Sequence, residues 1–342
     1  MSDIRDVARR AGVSVSTVSY AFSGKRPVSS GTYQRIMQAA DELDYAPDAG
    51  ARMLRAKRNQ IVALSAPLRP GQNRASYADY FIEMASCEHD RGYDSLLLTA
   101  ENGVEDIRRV TRSNLADGVV LMDLVDDDIR ATQAASYGRP CVALGLPRQH
   151  TACACVDLDF DLMGRMAVEA MAKAGRKRLL FLEDLEGEYR RGSGFRLILL
   201  RSLKTWACRL GMDLQLEPGP TGSDLAYTQQ VLDIIHHGRI DGLIGQIRPS
   251  LLDTVVVRMR SDGMSIPDDV AVLSCAAGKV SHTLELQGIS EMPLTPRSLC
   301  AKAADLLTQA VEEGASLAGR VLLERPRLID RASISRQKQE AA

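Results

Sequence analysis

Gly12 separates two short stretches of helical periodicity, and no other feature constrains the amino-terminal fold of this chain as tightly. Before it, Ile4, Val7 and Ala8 fall at i, i+3 and i+4 and form one apolar helical face. Gly12 can take the positive φ that ends a helix at no steric cost. After it, Ser14 has the side chain of a good N-cap, and Val15, Val18 and Phe22 follow on the second helix. A helix, a glycine turn and a second helix studded with small hydroxyl residues is the helix-turn-helix plan. DNA is therefore the first partner to expect.

Charge agrees with that expectation. Residues 1–60 hold ten Lys and Arg against six Asp and Glu, a net +4. The remaining residues hold 33 against 38, a net −5 hidden inside an overall charge of −1. A basic head on an acidic body suits a protein that sets only one end against phosphate.

A chain of 342 residues suits two or three domains, and 45% hydrophobic content can fill sizeable cores. Aromatics are only 4%, so packing must rely on aliphatic side chains. No apolar run approaches the ~18 residues of a membrane span, and the amino terminus has no apolar signal segment. The expected location is cytoplasmic, with no membrane partner. Seven irregularly spaced cysteines are then expected to be reduced thiols.

The pattern divides the chain into a head over residues 1–47, a hinge or linker over 48–60 and a body over 61–342. Pro47 stops the third helix before it, and Gly50 weakens the helix formers of 49–56 by ~1 kcal/mol relative to alanine. Beyond Ile61, short aliphatic strands alternate with helices. Strands are predicted at 61–65, 95–99, 118–122, 141–144, 152–156, 178–182, 241–245 and 270–275. Near-continuous apolar strands separated by helices call for parallel sheets covered on both faces. About 270 residues exceed one such sheet, so the predicted class is a small all-α head plus an α/β body of two doubly wound parallel-sheet subdomains. Ligands sit beyond the carboxyl ends of such strands, which makes the cleft between the lobes the expected small-molecule site.

Asp6-Val7-Ala8, Ala11-Gly12-Val13-Ser14 and Thr17-Val18-Ser19 resemble the DNA-binding head of the LacI/GalR family of bacterial transcription regulators. The likeness continues through Val28-Ser29, Thr32, the helix from Arg35 to Leu43, Tyr45-Ala46-Pro47 and Ala51-Arg52-Met53-Leu54. In the body, Asp159-Phe160-Asp161 with Gly164 is similar to an Asp-Asn-x-x-x-Gly segment, and Arg191 to Phe195 to Arg-x-x-Gly-Phe. The resemblance implies a periplasmic-binding-protein-like body that senses an effector and dimerises. It also implies a repressor acting as a homodimer on a pseudo-palindromic, double-stranded operator.

The second helix must offer side chains to base edges. Ser14, Val15, Ser16, Thr17, Ser19 and Tyr20 lie at its start or along one face, and Ser29 precedes the third helix. Short hydroxyls reach bases or phosphates, and Val15 can meet a thymine methyl. Tyr20 stands where many family members carry arginine, so this chain lacks a bidentate guanine reader there. The resemblance makes Leu54 a wedge between base pairs in the minor groove, with Arg52 and Arg55 beside phosphates.

For the effector, the resemblance implies Asp159 and Arg191, and two further positions have changed. An expected Asn-Asp pair aligns with Ile247-Arg248, and an expected Asp with Ala276. Fewer acceptors and one added cation point to an anionic or less polar effector rather than a neutral sugar. An effector-independent regulator or an activator of the same architecture remains open, as does a small-molecule binder without a DNA role. Cys153 and Cys155 share a strand face without neighbours at metal spacing, so no metal or cofactor is expected. Gly192-Ser193-Gly194 is neither a nucleophile elbow nor a dinucleotide fingerprint, and no enzyme is expected. The run Asp126-Asp127-Asp128 reads as a solvated loop.

Overall fold

The computed structural model describes residues 3–23, 26–45, 58–68, 74–183 and 186–335. The chain divides into two compact units on either side of Asn59 and Gln60. Arg52, Leu54 and Arg55, expected in the hinge, lie outside the described residues.

The first unit is three helices, α1 (Ile4–Ala11), α2 (Val15–Ser23) and α3 (Ser30–Glu42). Asp3 and Asp6 form a reciprocal capping box at the start of α1. Gly12 ends it at φ 66°, and Val13 N–H donates to Ala8 O at 3.0 Å. Val7, Val18 and Ile36 are fully buried, with Ala8, Ala11, Ala39 and Ala40 around them. The small alanines let the three helices approach closely enough to share this short core.

The second unit is α/β. Its strands are β1 (Ile61–Ser65), β2 (Asp94–Leu98), β3 (Gly118–Leu121), β4 (Cys141–Leu144), β5 (Ala154–Leu158), β6 (Arg178–Leu182), β7 (Asp213–Glu217), β8 (Gly242–Gly245), β9 (Ala271–Cys275), β10 (Ser290–Met292) and β11 (Val321–Glu324). They form a six-stranded sheet in the order β11-β5-β4-β3-β1-β2 and a five-stranded sheet in the order β10-β9-β8-β6-β7. Every strand pair within them is parallel. Helices α4 (Arg74–His89), α5 (Val104–Arg112) and α6 (Ile129–Thr132) serve the first lobe. Helices α7 (Phe160–Lys173), α8 (Glu186–Arg190), α9 (Gly194–Arg209), α10 (Asp224–Gly238), α11 (Pro249–Ser261) and α12 (His282–Leu286) serve the second. Helix α13 (Pro296–Glu313) returns the chain to the first sheet.

The central strands β3, β5, β8 and β9 are buried throughout, which is why they read as continuous apolar runs. The strands not anticipated are β7, β10 and β11. β7 and β11 are sheet edges whose residues alternate or stay exposed, and β10 has three residues. The chain passes between lobes after β5, after β10 and after β11, where Ile329 pairs with Glu291. One apolar cluster accompanies these crossings, from Val62 and Val156 through Phe160 and Met163 to Phe181 and Leu273.

Candidate functional site

Two sites take shape, one in each unit. In the head, Ser14 Oγ accepts from Thr17 N–H at 3.1 Å and caps α2. The same oxygen lies 2.7 Å from Thr17 Oγ1 and 2.8 Å from Ser16 Oγ. Val18 holds the helix to the core, while Val15 keeps 40% of its surface exposed. Val15 therefore does not share the buried face of Val18, and its isopropyl group is presented to whatever meets the helix. Ser16 is exposed as well, and Ser19 and Tyr20 are half-buried. The Arg26 guanidinium sits 5.5 Å from the centre of the Tyr20 ring. Ser29 Oγ donates to Thr32 Oγ1 at 2.9 Å instead of capping α3, whose first N–H groups remain available to an anion.

In the body, the carboxyl ends of both sheets face one cavity of about 110 Å³. Met122, Asp123, Gly145, Leu146 and Asp157 enter from the ends of β3, β4 and β5. Glu188, Arg196, Gln246, Arg248 and Ala276 enter from the second lobe. Tyr77, Tyr80, Phe160 and Phe195 complete much of the wall, and the last two rings lie 5.0 Å apart.

Arg191 does not line this cavity. Its Nη2 donates to Tyr77 Oη at 2.8 Å, to Asp123 Oδ1 at 2.5 Å and to Glu188 Oε2 at 2.7 Å. Arg196 Nη1 approaches Glu188 Oε2 at 3.2 Å. Arg191 thus neutralises two carboxylates that would otherwise stand nearly buried at the cleft. Asp159 is also off the wall; its Oδ1 caps α7 by accepting from Leu162 N–H at 2.8 Å. Arg248 and Ala276 do line the cavity. Arg248 is tied to Asp224, and Ala276 has φ 51°, a left-handed conformation for a residue with a Cβ. The cations on which an anionic ligand was expected are therefore already paired.

Sequence reasoning missed most of the cavity residues, Asp157 and Gln246 among them. Asp157 is 6% exposed, and burial pushes its carboxyl up to about 7. Leu158 N–H donates to Oδ1, and the backbone of Leu146 also hydrogen-bonds to the carboxyl, which partly offsets the effect of burial. Gln246 is 2% exposed; its Oε1 accepts from Tyr189, and its Nε2 has no partner. A carboxylate inside an otherwise apolar strand was the available signal for Asp157. Gln246 stands immediately before Ile247, which belongs to the second lobe's core.

Asp126 and Asp128 are buried, against the reading of a solvated loop. Asp128 caps α6 and pairs with buried Arg130 at 2.7 Å. Arg130 in turn donates to the carbonyls of Ser65 and Met122, fixing the ends of β1 and β3 below the cavity. Among the described residues no helix is long and apolar enough to cross a membrane.

Residues 3–48 match the model of bacterial regulatory proteins of the lacI family, and residues 168–334 match that of a periplasmic binding protein-like domain. The chain is 28% identical over 188 residues to the HTH-type transcriptional regulator RafR of Escherichia coli, covering 53% of this chain and 55% of that protein. It is 28% identical over 215 residues to the sucrose operon repressor of Lactococcus lactis subsp. lactis, covering 60% of this chain and 65% of that one. The match thus spans less than two thirds of either relative. Among solved structures, the lac repressor dimer bound to operator and the anti-inducer ONPF superposes with a TM-score of 0.78 at 18% identity, over 98% of this chain and 99% of that one. That likeness establishes the fold. The chain thus joins a head that matches the lacI family of bacterial regulatory proteins to a body that matches a periplasmic binding protein-like domain.

Proposed function

We propose that the protein is a sequence-specific DNA-binding transcriptional regulator, a repressor acting as a homodimer on a pseudo-palindromic operator. A small molecule in the interlobe cavity modulates its operator affinity. The observation that carries the reading is the division of labour on α2: Val18 is buried, while Ser14, Val15 and Ser16 are exposed at the helix start. That exposure supports a reading in which a methyl-bearing side chain and hydroxyls meet base edges and phosphates in the major groove. The Lactococcus relative named as a repressor supports the direction of regulation. Hinge residues Arg52 and Arg55 neutralise phosphates beside the Leu54 wedge in this reading. The protein acts by binding, with no catalytic step assigned to it.

Footprinting on genomic fragments tests the proposal together with affinity measured across salt concentrations. A protected site with two-fold symmetry, and affinity falling steeply as salt rises, are expected. A footprint without symmetry, or affinity indifferent to salt, overturns it.

A further inference from the structure

The cleft between the lobes is crossed by the chain's own polar groups. Residues 124–126 of the first lobe and 192–194 of the second meet there as a short backbone clasp. Asp126 N–H donates to Gly192 O at 2.8 Å, Gly194 N–H donates to Leu124 O at 3.1 Å, and Val125 faces Ser193 in an antiparallel bridge. Beside the clasp, Arg191 of the second lobe donates to Asp123 Oδ1 and to Tyr77 Oη, both of the first. Tyr77 Oη donates in turn to Asp123 Oδ1 at 2.6 Å. The Asp123 side chain is 4% exposed and that of Arg191 15%, so salt screens their attraction little. Two pairs with exposed cations also join the lobes, Arg201 with Asp126 at 3.3 Å and Lys279 with Asp79 at 2.8 Å, but such pairs add little.

We propose that the clasp and the Asp123–Arg191–Tyr77 contacts form a latch that keeps the body closed with no ligand in the cleft. Charge is divided between the lobes in the sense that favours closure. In this cluster the first lobe supplies Asp123, one negative charge. The second supplies Arg191 and Arg196 against Glu188, one net positive charge. Opening separates the two and parts the only close cation printed for Asp123 from it, while closure brings them together at low exposure. The Asp123 backbone is also held within its own lobe. Its φ is 52°, a left-handed conformation that aspartate tolerates better than most residues. Arg130 donates to its carbonyl at 3.3 Å and is itself pinned by buried Asp128. Closure is an intramolecular step, because the chain crosses between the lobes after β5, β10 and β11. It therefore avoids the loss of translational freedom that a separate ligand incurs, and a few bonds suffice. Arg191 Nη1 is buried without a hydrogen-bond partner, so a ligand reaching it would add to a closure that already exists. The latch goes beyond the sensor reading and requires neither a ligand class nor DNA.

Hydrogen exchange of the full chain, dialysed free of small molecules, tests the latch with Asp123→Asn, Arg191→Gln and the two combined. In the wild type, amides of 124–126 and 192–194 are expected to be protected. In the combined variant both segments should exchange at least ~10-fold faster, about 1.4 kcal/mol in opening, while β1 and β9 keep their protection. Small-angle scattering should show a larger radius of gyration for that variant. The single variants answer for a combined variant that fails to fold. Wild-type exchange at the rate of exposed chain overturns the proposal, as do variants that exchange like wild type. Faster exchange in one segment alone, with unchanged scattering, also overturns it, because that is local loosening within one lobe. Operator affinity of the same variants is measured separately without ligand. Opened lobes with unchanged operator affinity overturn the sensor reading and leave the latch standing.

Discussion

At the scale of single residues, the head and the body distribute polar groups by different rules. In the head, hydroxyls are left exposed once the local cap is satisfied, as Ser14 and Ser16 show. In the body, charges near the cleft are consumed by one another before a ligand arrives. Tyr20 sits between these roles, half-buried and beside Arg26. Replacing Tyr20 with Ala should change which operator bases are preferred more than it changes non-specific DNA affinity. Competition binding against single-base operator variants and random DNA reads this, and an equal loss on both DNAs would assign Tyr20 a purely structural role. Arg191→Ala should destabilise the body by about 3 kcal/mol, the low end for breaking a buried pair, because Arg196 still reaches Glu188. Urea unfolding with an Asp123→Asn double-mutant cycle measures the coupling; independent effects would show that the ion pair contributes nothing.

At the scale of elements, the second lobe depends on close helix approach. A Cβ on Gly164 of α7 would stand 2.6 Å from Ser202 Cβ and 3.1 Å from Leu203 N on α9. Ser202 Oγ also donates to Asp161 O at 2.6 Å, so the helices are joined at the point of contact. Gly164→Ala should cost ~1–3 kcal/mol through overpacking, lowering Tm by several degrees; an unaltered Tm would mean that the helices part without strain. A second element-scale test concerns Glu88 at the end of α4. It is 2% exposed, burial pushes its carboxyl up to about 8, and Ser95 Oγ donates to it from β2. The folded state therefore binds this proton more tightly than the unfolded chain, whose carboxyl titrates near 4.5. That stabilisation is complete below pH 4.5 and is lost as pH rises to about 8. Glu88→Gln should remove this part of the pH slope, so that Tm of the variant rises relative to wild type between pH 5 and 8. Parallel slopes for the two proteins would show that Glu88 ionises normally.

At the scale of the whole molecule, the proposed function requires an event in the body to be felt at the DNA. In that proposal Leu54 carries the link, as one of a pair of minor-groove wedges in the proposed dimer. Leu54→Ala should lower operator affinity by ~1–3 kcal/mol and reduce DNA bending while the body keeps its Tm. Circular-permutation gel shifts report the bend; a bend and an affinity both equal to wild type would remove the wedge. If a ligand changes operator affinity, operator DNA must change ligand affinity by the same factor.

The amino-acid sequence by itself determined the head and the class of the body. Helical spacing around Gly12, the Ser14 cap and continuous apolar strands such as Val119–Leu121 are local signals, set by backbone conformation and burial within a few residues. Exposed edge strands β7 and β11 weakened the same signal, because one-sided or partial burial leaves no apolar run to read. Only the tertiary structure decided the cavity's chemistry. Whether Arg191 faces a ligand or Asp123 depends on which loops meet, and those residues are 68 positions apart in sequence. Asp126 and Asp128 looked like solvent-facing acids until burial set Asp126 beside Arg148 and Asp128 beside Arg130. Asp157 and Gln246 came to line one cavity only when two separate sheets brought their carboxyl ends together. A residue's type sets which bonds it can make; long-range packing sets which of them remain unmade and open to a ligand.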